Sequence, residues 1–224
     1  MTNVVLHNQS LSAELKVFTA AAHEEAESST FMADLMGGKL SAADFLRLQE
    51  QAWLFYSALE KAAHAVSDTD RAGRIVDTRL DRAASLERDL AYLHGTVETE
   101  HAQGWKERVK PTPATAAYVE RLQQVYEDRD EARLVAHHYV RYLGDMSGGQ
   151  VIATMMSRHY GIAQEGLSFY RFEEIDKLKP YKDAYRAHLD AMDFNEEERR
   201  ALLEEAAHAF VLNMNVFADL ERGH

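Results

Sequence analysis

The sequence predicts an all-α protein folded as a single domain, and three observations carry that expectation. Apolar residues recur at intervals of three and four through most of the chain, the period of a helix that buries one stripe. Only three prolines and eleven glycines interrupt 224 residues, which favours helices joined by short connections. No segment alternates polar and apolar residues for more than a few positions, so no strand is expected. The length fits one domain spanning 1–224, with residues 1–10 as a flexible N-terminal segment.

Composition narrows the function. At 46% hydrophobic residues the chain can bury a sizeable core. A formal charge of −12, with no long basic stripe to offset it, argues against a nucleic-acid binder. There are no cysteines, which removes disulfides, thiolate metal sites and cysteine nucleophiles. No run of eighteen apolar residues is present to span a membrane, and the first ten residues lack a signal-peptide pattern. The expectation is a soluble, cytoplasmic protein, monomeric and without a membrane span.

Taken in order, the first helix is expected from about Leu11 to Ser28, with Leu11, Leu15, Phe18 and Ala22 on one stripe. Gly37-Gly38 breaks the chain. Ser41 then opens a second helix as an N-cap, with Asp44 at the box position, and Phe45, Leu48, Trp53, Leu54, Tyr56 and Leu59 carry it to about Val66. A third helix runs from about Thr78 to Leu93. The stretch from His94 to Pro113 reads as a loop with a short turn around Trp105. Thr112-Pro113 places a cap and an N1 proline before a helix that ends near Tyr126. A long helix follows from about Glu131 to Tyr160 and stops at Gly161. After a connector at Leu167–Phe172, a helix with Pro180 in its first turn runs to about Met192, and Asn195 with Glu198 caps the last helix, which ends near Leu220. About seven helices fit one bundle.

The long helix carries the strongest anomaly. Gly144, Gly148 and Gly149 lie inside it, a burden of about 3 kcal/mol relative to alanine. A helix keeps such glycines where something approaches its backbone, where it bends, or where another helix packs closely through a small-xxx-small face. Asp145 beside them reads either as a surface partner of Arg141 or as a polar group in a small-molecule pocket.

Other constellations are open to two readings. Lys16 and His23 share a face of the first helix about 10.5 Å apart along its axis, and Glu27 follows His23 by one turn. His with Glu at this spacing is common on helix surfaces; it is also how a ligating histidine finds an acceptor for its second ring N–H. Glu98-Thr-Glu-His101 and Glu205-Ala-Ala-His208 match the Glu-x-x-His pattern of di-iron bundles, and equally a polar helix face. His137 and His138 are adjacent, so on a helix they point about 100° apart and cannot face one metal together. Lys177, Lys179, Lys182 and Arg186 concentrate positive charge in an acidic chain, as a solvated face, an anion site or a docking patch.

These motifs coincide with those of a known family. The sequence resembles the haem oxygenases, and is most similar to the bacterial, biliverdin-producing enzymes that take iron from haem. Three segments carry the resemblance: Arg141-Tyr-Leu-Gly-Asp-Met-Ser-Gly-Gly-Gln150, Ala22-His-Glu-Glu-Ala-Glu-Ser-Ser-Thr-Phe-Met32, and Phe210-Val-Leu-Asn-Met-Asn-Val-Phe217. Met146 stands where many relatives carry leucine, a volume-conserving change. The resemblance implies haem b, substrate and cofactor at once, sandwiched between a proximal helix and a glycine-kinked distal helix. His23 would be the iron ligand, with Glu27 accepting its second N–H. Gly144, Ser147, Gly148 and Gly149 would line the porphyrin, with Lys16, Tyr139, Lys177 and Arg186 as propionate partners. Asp145, assisted by Tyr56, Arg141, Asn213 and the backbone at Gly144 and Gly148, would organise the distal chemistry. O2 and electrons from a ferredoxin, flavodoxin or reductase-type donor would open the ring at a meso carbon, expected to be α, giving biliverdin, CO and Fe2+. Two alternatives from other classes remain: a haem carrier that holds haem through His23, and a non-haem di-iron oxidase using Glu205 and His208.

Overall fold

The computed structural model describes residues 9–99 and 103–223; the side chain of Glu27 lies outside the described residues. His101, and with it the first of the two Glu-x-x-His patterns, also lies outside them. Among the described residues the regular structure is helical throughout.

The expected first helix is two helices, α1 (Leu11–Phe18) and α2 (Ala20–Glu27). The break falls at Thr19, whose hydroxyl and backbone N–H both donate to the carbonyl of Leu15. A threonine that bonds back to its preceding turn loosens the helix there. Helix α3 (Thr30–Met36) ends at Gly37, and Gly38 turns the chain with φ of +72°. Helix α4 (Ala42–His64) opens on the expected capping box, with the Asp44 side chain accepting from the Ser41 N–H at 2.8 Å.

The third predicted helix starts later than its periodicity suggests. Thr78–Leu80 is a single 3-10 turn, and α5 runs Ala83–Thr96. Its start is set from outside: Glu60 of α4 accepts the backbone N–H groups of Arg82 and Ala83, capping the helix from a neighbouring element. The turn around Trp105 is α6 (Trp105–Arg108), and α7 (Pro113–Asp128) begins at the predicted cap and proline.

The long glycine-bearing helix is continuous but irregular. It comprises α8 (Glu131–His138), a π turn at Tyr139–Leu143, and α9 (Gly144–Tyr160), which stops at Gly161 with φ of +66°. The irregularity therefore precedes the glycines instead of falling on them. Helix α10 (Leu178–Asp190) and the long α11 (Glu196–Arg222) complete the fold, α11 opening on the Asn195–Glu198 box.

Helix α4 packs on α5 and α7, while α11 lies along α8 and α7 and also meets α2. Their apolar stripes form one core in which Tyr56, Tyr118 and Tyr142 are fully buried. The shorter α1, α2 and α10 close one side of this core, and the gap between them and the π turn and α9 is the main cleft.

Candidate functional site

The cleft measures about 730 Å³. One wall is α1 and α2, with Ser12, Ala13, Lys16, Thr19, Ala20 and His23. The other is the π turn and α9, with Tyr139, Val140, Leu143, Gly144, Ser147 and Gly148; Arg186 of α10 and Phe210 of α11 close the ends. Seven of the residues singled out from the sequence thus meet in one place: Lys16, His23, Tyr139, Gly144, Ser147, Gly148 and Arg186.

The His23 ring is exposed to the cleft and packs edge-on against Phe210, with centroids 5.7 Å apart. Phe210 stands in the sequence as the first residue of the third segment of the family resemblance, with no role of its own assigned. Across the cleft, a Cβ built at Gly144 or Gly148 meets no atom within 4 Å. Both positions present bare backbone to open space.

Gly149 behaves differently. A Cβ there would lie 3.2 Å from Cδ1 of Tyr170, so Gly149 faces a packed ring and not the cleft. The reason is helical geometry: adjacent residues point about 100° apart, so Gly148 and Gly149 cannot serve one surface. Lys177, the other propionate partner that the resemblance implies, is not among the residues lining the cleft. It sits at the exposed N-cap of α10, nine residues before Arg186, which on a helix is the opposite side. The lysine that reaches the cleft is Lys182, one turn before Arg186, whose Nζ donates to Ser147 Oγ at 3.2 Å. That i, i+4 spacing was the signal available in the sequence. Glu27 follows His23 on α2, but its side chain lies outside the described residues.

Behind the bare backbone the four distal candidates form one hydrogen-bonded network. Tyr56 donates to Asp145 Oδ2, and Arg141 Nε donates to the Tyr56 oxygen at 3.1 Å. Arg141 Nη1 donates to Asn213 Oδ1 at 2.7 Å, and its Nη2 lies 4.0 Å from Asp145 Oδ1. The guanidinium sits over the rings of Phe55 and Tyr56. Burial pushes the Asp145 carboxyl above its ordinary range, against the pull of Arg141 and the Tyr56 hydrogen bond. Burial likewise drives the Tyr56 phenol well above 10, so it is an O–H donor at neutral pH. Arg141 remains charged: burial opposes its charge, but Tyr56 and Asp145 more than offset it.

The remaining titratable motifs are committed elsewhere. Glu205 accepts from Arg121 at 2.7 and 2.6 Å and pairs with His137 Nε2 at 2.8 Å. His208 lies 3.9 Å from Glu205, at the edge of this cluster. Among the described residues no group of three or more His, Cys, Asp or Glu is placed to hold a metal ion. His138 turns away from His137 and pairs with the Tyr185 hydroxyl at 2.8 Å; burial pushes it down to about 3, which keeps it neutral. No helix among the described residues is long and apolar enough to cross a membrane.

The helical domain thus sets an imidazole on one wall of a cleft and side-chain-free backbone on the other, with the cationic Lys16 and Arg186 at its edge. The sequence model for "Heme oxygenase" matches residues 9–219. The chain is 34% identical to heme oxygenase 1 of Gallus gallus over 218 residues, covering 96% of this chain and 71% of that one. It is also 34% identical to the heme oxygenase of Porphyra purpurea over 212 residues, 94% of this chain and 86% of the other. Among solved structures, heme oxygenase-1 of Synechocystis sp. PCC6803 in complex with heme superposes with a TM-score of 0.88 at 31% identity, covering 96% of this chain and 94% of that one. The chain belongs to the haem oxygenase family, and is a haem oxygenase enzyme by family and by fold.

Proposed function

We propose that this chain opens the haem ring oxidatively at a meso carbon, the α position, to give biliverdin, CO and Fe2+ for haem catabolism and iron acquisition. The observation that carries this reading is the arrangement of the cleft: exposed His23 opposite bare backbone at Gly144 and Gly148, with the Asp145–Tyr56–Arg141–Asn213 network directly behind. The residues present fit haem. The volume of about 730 Å³ suits a flat macrocycle, and the two positions where a Cβ would occupy the cleft are glycines. Imidazole is a suitable donor for iron, and Lys16, Lys182 and Arg186 suit two carboxylates at the rim.

Bound haem supplies an iron that, once reduced, activates O2, and a porphyrin that is itself the substrate. The chain's residues do the rest. His23, packed on Phe210, would hold the iron. Lys16, Tyr139, Lys182 and Arg186 would hold the propionates and so fix the orientation of the ring. Gly144 and Gly148 admit the porphyrin face and O2 to the helix backbone. Asp145, kept in hydrogen bonds by Tyr56 and screened by Arg141, holds and releases protons beside the reacting edge. Electrons come from a donor protein of the ferredoxin, flavodoxin or reductase type, attracted by the basic residues of α10.

A haem carrier would use the same ligand and cleft but leaves the buried network behind α9 without a purpose. The test is purified protein loaded with haem, given a reductant and O2. Biliverdin absorption with release of CO is the expected outcome; an unchanged Soret band with no CO would reject ring opening and favour the carrier.

A further inference from the structure

We propose that Asp89 and Arg82 are positioning residues for the distal network, acting through the short turn Ser168–Tyr170 that forms the back wall of α9. Two rings of this turn face the network. Tyr170 is the surface against which Gly149 closes, its Cδ1 3.2 Å from where a Cβ would stand. Phe169 packs edge-on against Tyr56, centroids 5.2 Å apart, and Tyr56 is the donor to Asp145. The turn therefore sets both how deeply α9 seats and where the Tyr56 ring stands.

The turn has little regular structure of its own to hold it, and α5 supplies the restraint. Asp89, with no exposed surface, accepts the backbone N–H of Ser168 at 2.8 Å and of Phe169 at 2.7 Å, and also the Ser168 hydroxyl. Arg82, 5% exposed, donates to the carbonyls of Phe169 at 3.3 Å and Arg171 at 2.7 Å, and its guanidinium lies 4.2 Å from the Phe172 ring centroid. One side chain takes the turn's donors and the other its acceptors. The two are seven residues apart, about two helical turns on one face, so α5 presents them as a matched pair. Gln49 of α4 completes the grip by donating to the Tyr170 hydroxyl at 3.0 Å. Ionisable groups this deeply buried are costly unless fully hydrogen-bonded; Asp89 directs all three of its bonds to Ser168 and Phe169, while Arg82 divides its bonds between this segment and the carbonyls of Arg79 and Leu80 that precede it in the chain.

The inference rests on the proposed function for its catalytic readout, and a second readout is independent of haem. The hydroxyl proton of Tyr56, identified in NMR spectra by its loss in Tyr56→Phe, reports the bond to Asp145 in the free protein. Asp89→Asn is compared with Leu202→Ala, a fully buried residue on α11 used as a control for general destabilisation. Asp89→Asn should shift or broaden the Tyr56 hydroxyl signal and slow ring opening on the order of tenfold or more while haem affinity changes by less than about threefold, as expected of a geometric error at a distance. Leu202→Ala should lower the melting temperature and leave the Tyr56 signal in place. Arg82→Lys, which keeps the charge but not the fork, should fall between wild type and Arg82→Met. If the control moves the signal as far as Asp89→Asn, or Asp89→Asn leaves it unmoved, the positioning role is wrong. Should Asp89→Asn fail to fold, Gln49→Leu removes only the tie to Tyr170, and an unmoved Tyr56 signal there overturns the proposal. Absence of ring opening in the wild type would reject the proposed function, while the NMR comparison would still decide the positioning role.

Discussion

Alanine at the three glycines of α9 should have effects of opposite sign. Gly144 has helical backbone angles, φ −61° and ψ −51°, and neither it nor Gly148 meets any atom within 4 Å of a built Cβ. Gly144→Ala and Gly148→Ala each remove the entropic weakness of glycine and introduce no clash, a gain of about 0.5–1 kcal/mol in the free protein. For a domain of this size that is a rise of about 1–4 °C in melting temperature. At Gly149 the new methyl meets Tyr170 at 3.2 Å, and the hydrogen bond from Gln49 resists movement of that ring. Overpacking of this kind costs about 1–3 kcal/mol, so the net effect of Gly149→Ala is a loss of up to about 2 kcal/mol. The functional consequences run the other way. Methyl groups at 144 and 148 project into the space assigned to the porphyrin and O2, and should lower haem affinity or ring opening by about tenfold or more, whereas Gly149→Ala acts only through displacement of α9. Thermal melting of the haem-free variants and haem titration of each give the comparison. If all three variants shift melting in the same direction, or if Gly144→Ala and Gly148→Ala bind and open haem like wild type, the assignment of the two faces of α9 is wrong.

Three further outcomes are expected. His23→Ala removes a ring packed edge-on against Phe210, so the free protein should lose about 0.5–1.5 kcal/mol, while the spectrum of the haem complex loses its nitrogen-ligand signature and added imidazole restores it. Asp145→Asn should retain haem but lose most of its CO release; in the wild type, activity should fall on acidification through a pKa above the usual carboxylate range, because burial raises this carboxyl, and the residual activity of the variant should lack that acid limb. Glu205 shows the reverse sign: burial raises its pKa, but hydrogen bonds from Arg121 and His137 outweigh it and hold the carboxyl at about 2 against an ordinary 4.5. Its stabilisation is therefore complete above about pH 4.5 and lost as pH falls toward 2, on the order of 3 kcal/mol by linkage; Glu205→Gln should unfold more readily at pH 7 and show a flatter acid limb in denaturant titrations.

Most of the fold could be read from the chain because its helices advertise their ends. Ser41 with Asp44, Thr112-Pro113, Asn195 with Glu198, and Gly161 are local signals, and each sits where expected. The errors arose where a boundary is set by something distant in sequence. The start of α5 depends on Glu60, twenty-two residues before Arg82 and on another helix. The break at Thr19 depends on a side chain competing for a carbonyl, which helical period does not register. At the site, the motif residues were legible but their directions were not. Lys177 and Gly149 are marked by membership in a motif, whereas rotation about the helix axis, the same rotation that separates His137 from His138, turns each of them away from the cleft. Asp89 and Arg82 had no motif to mark them, since their targets are backbone groups of a turn 79 and 87 residues further along the chain.

Rotation about α9 also explains how a carboxyl that does not line the cleft can act on what lies within it. Gly144 and Gly148, one turn apart, make one face of the helix; Asp145 and Gly149, one turn apart and rotated by about 100°, make the next. The first face is open to the cleft and the second is packed on Tyr56 and Tyr170. Any side chain larger than hydrogen at 144 or 148 would stand between Asp145 and the cleft. On the proposed function, the glycines would give clearance for a ligand and also the opening through which the acid and its network reach it. The opposite wall is interrupted as well, since Thr19, where α1 gives way to α2, lines the cleft together with Tyr139, the first residue of the π turn. Both walls thus depart from regular helix where they line the cleft. Tyr139→Phe, which removes the cleft hydroxyl proposed to hold a propionate, should weaken haem binding and lower the yield of ring-opened product per electron consumed; haem titration and product analysis check both, and an unchanged affinity and yield would mean that Lys16, Lys182 and Arg186 hold the macrocycle without it.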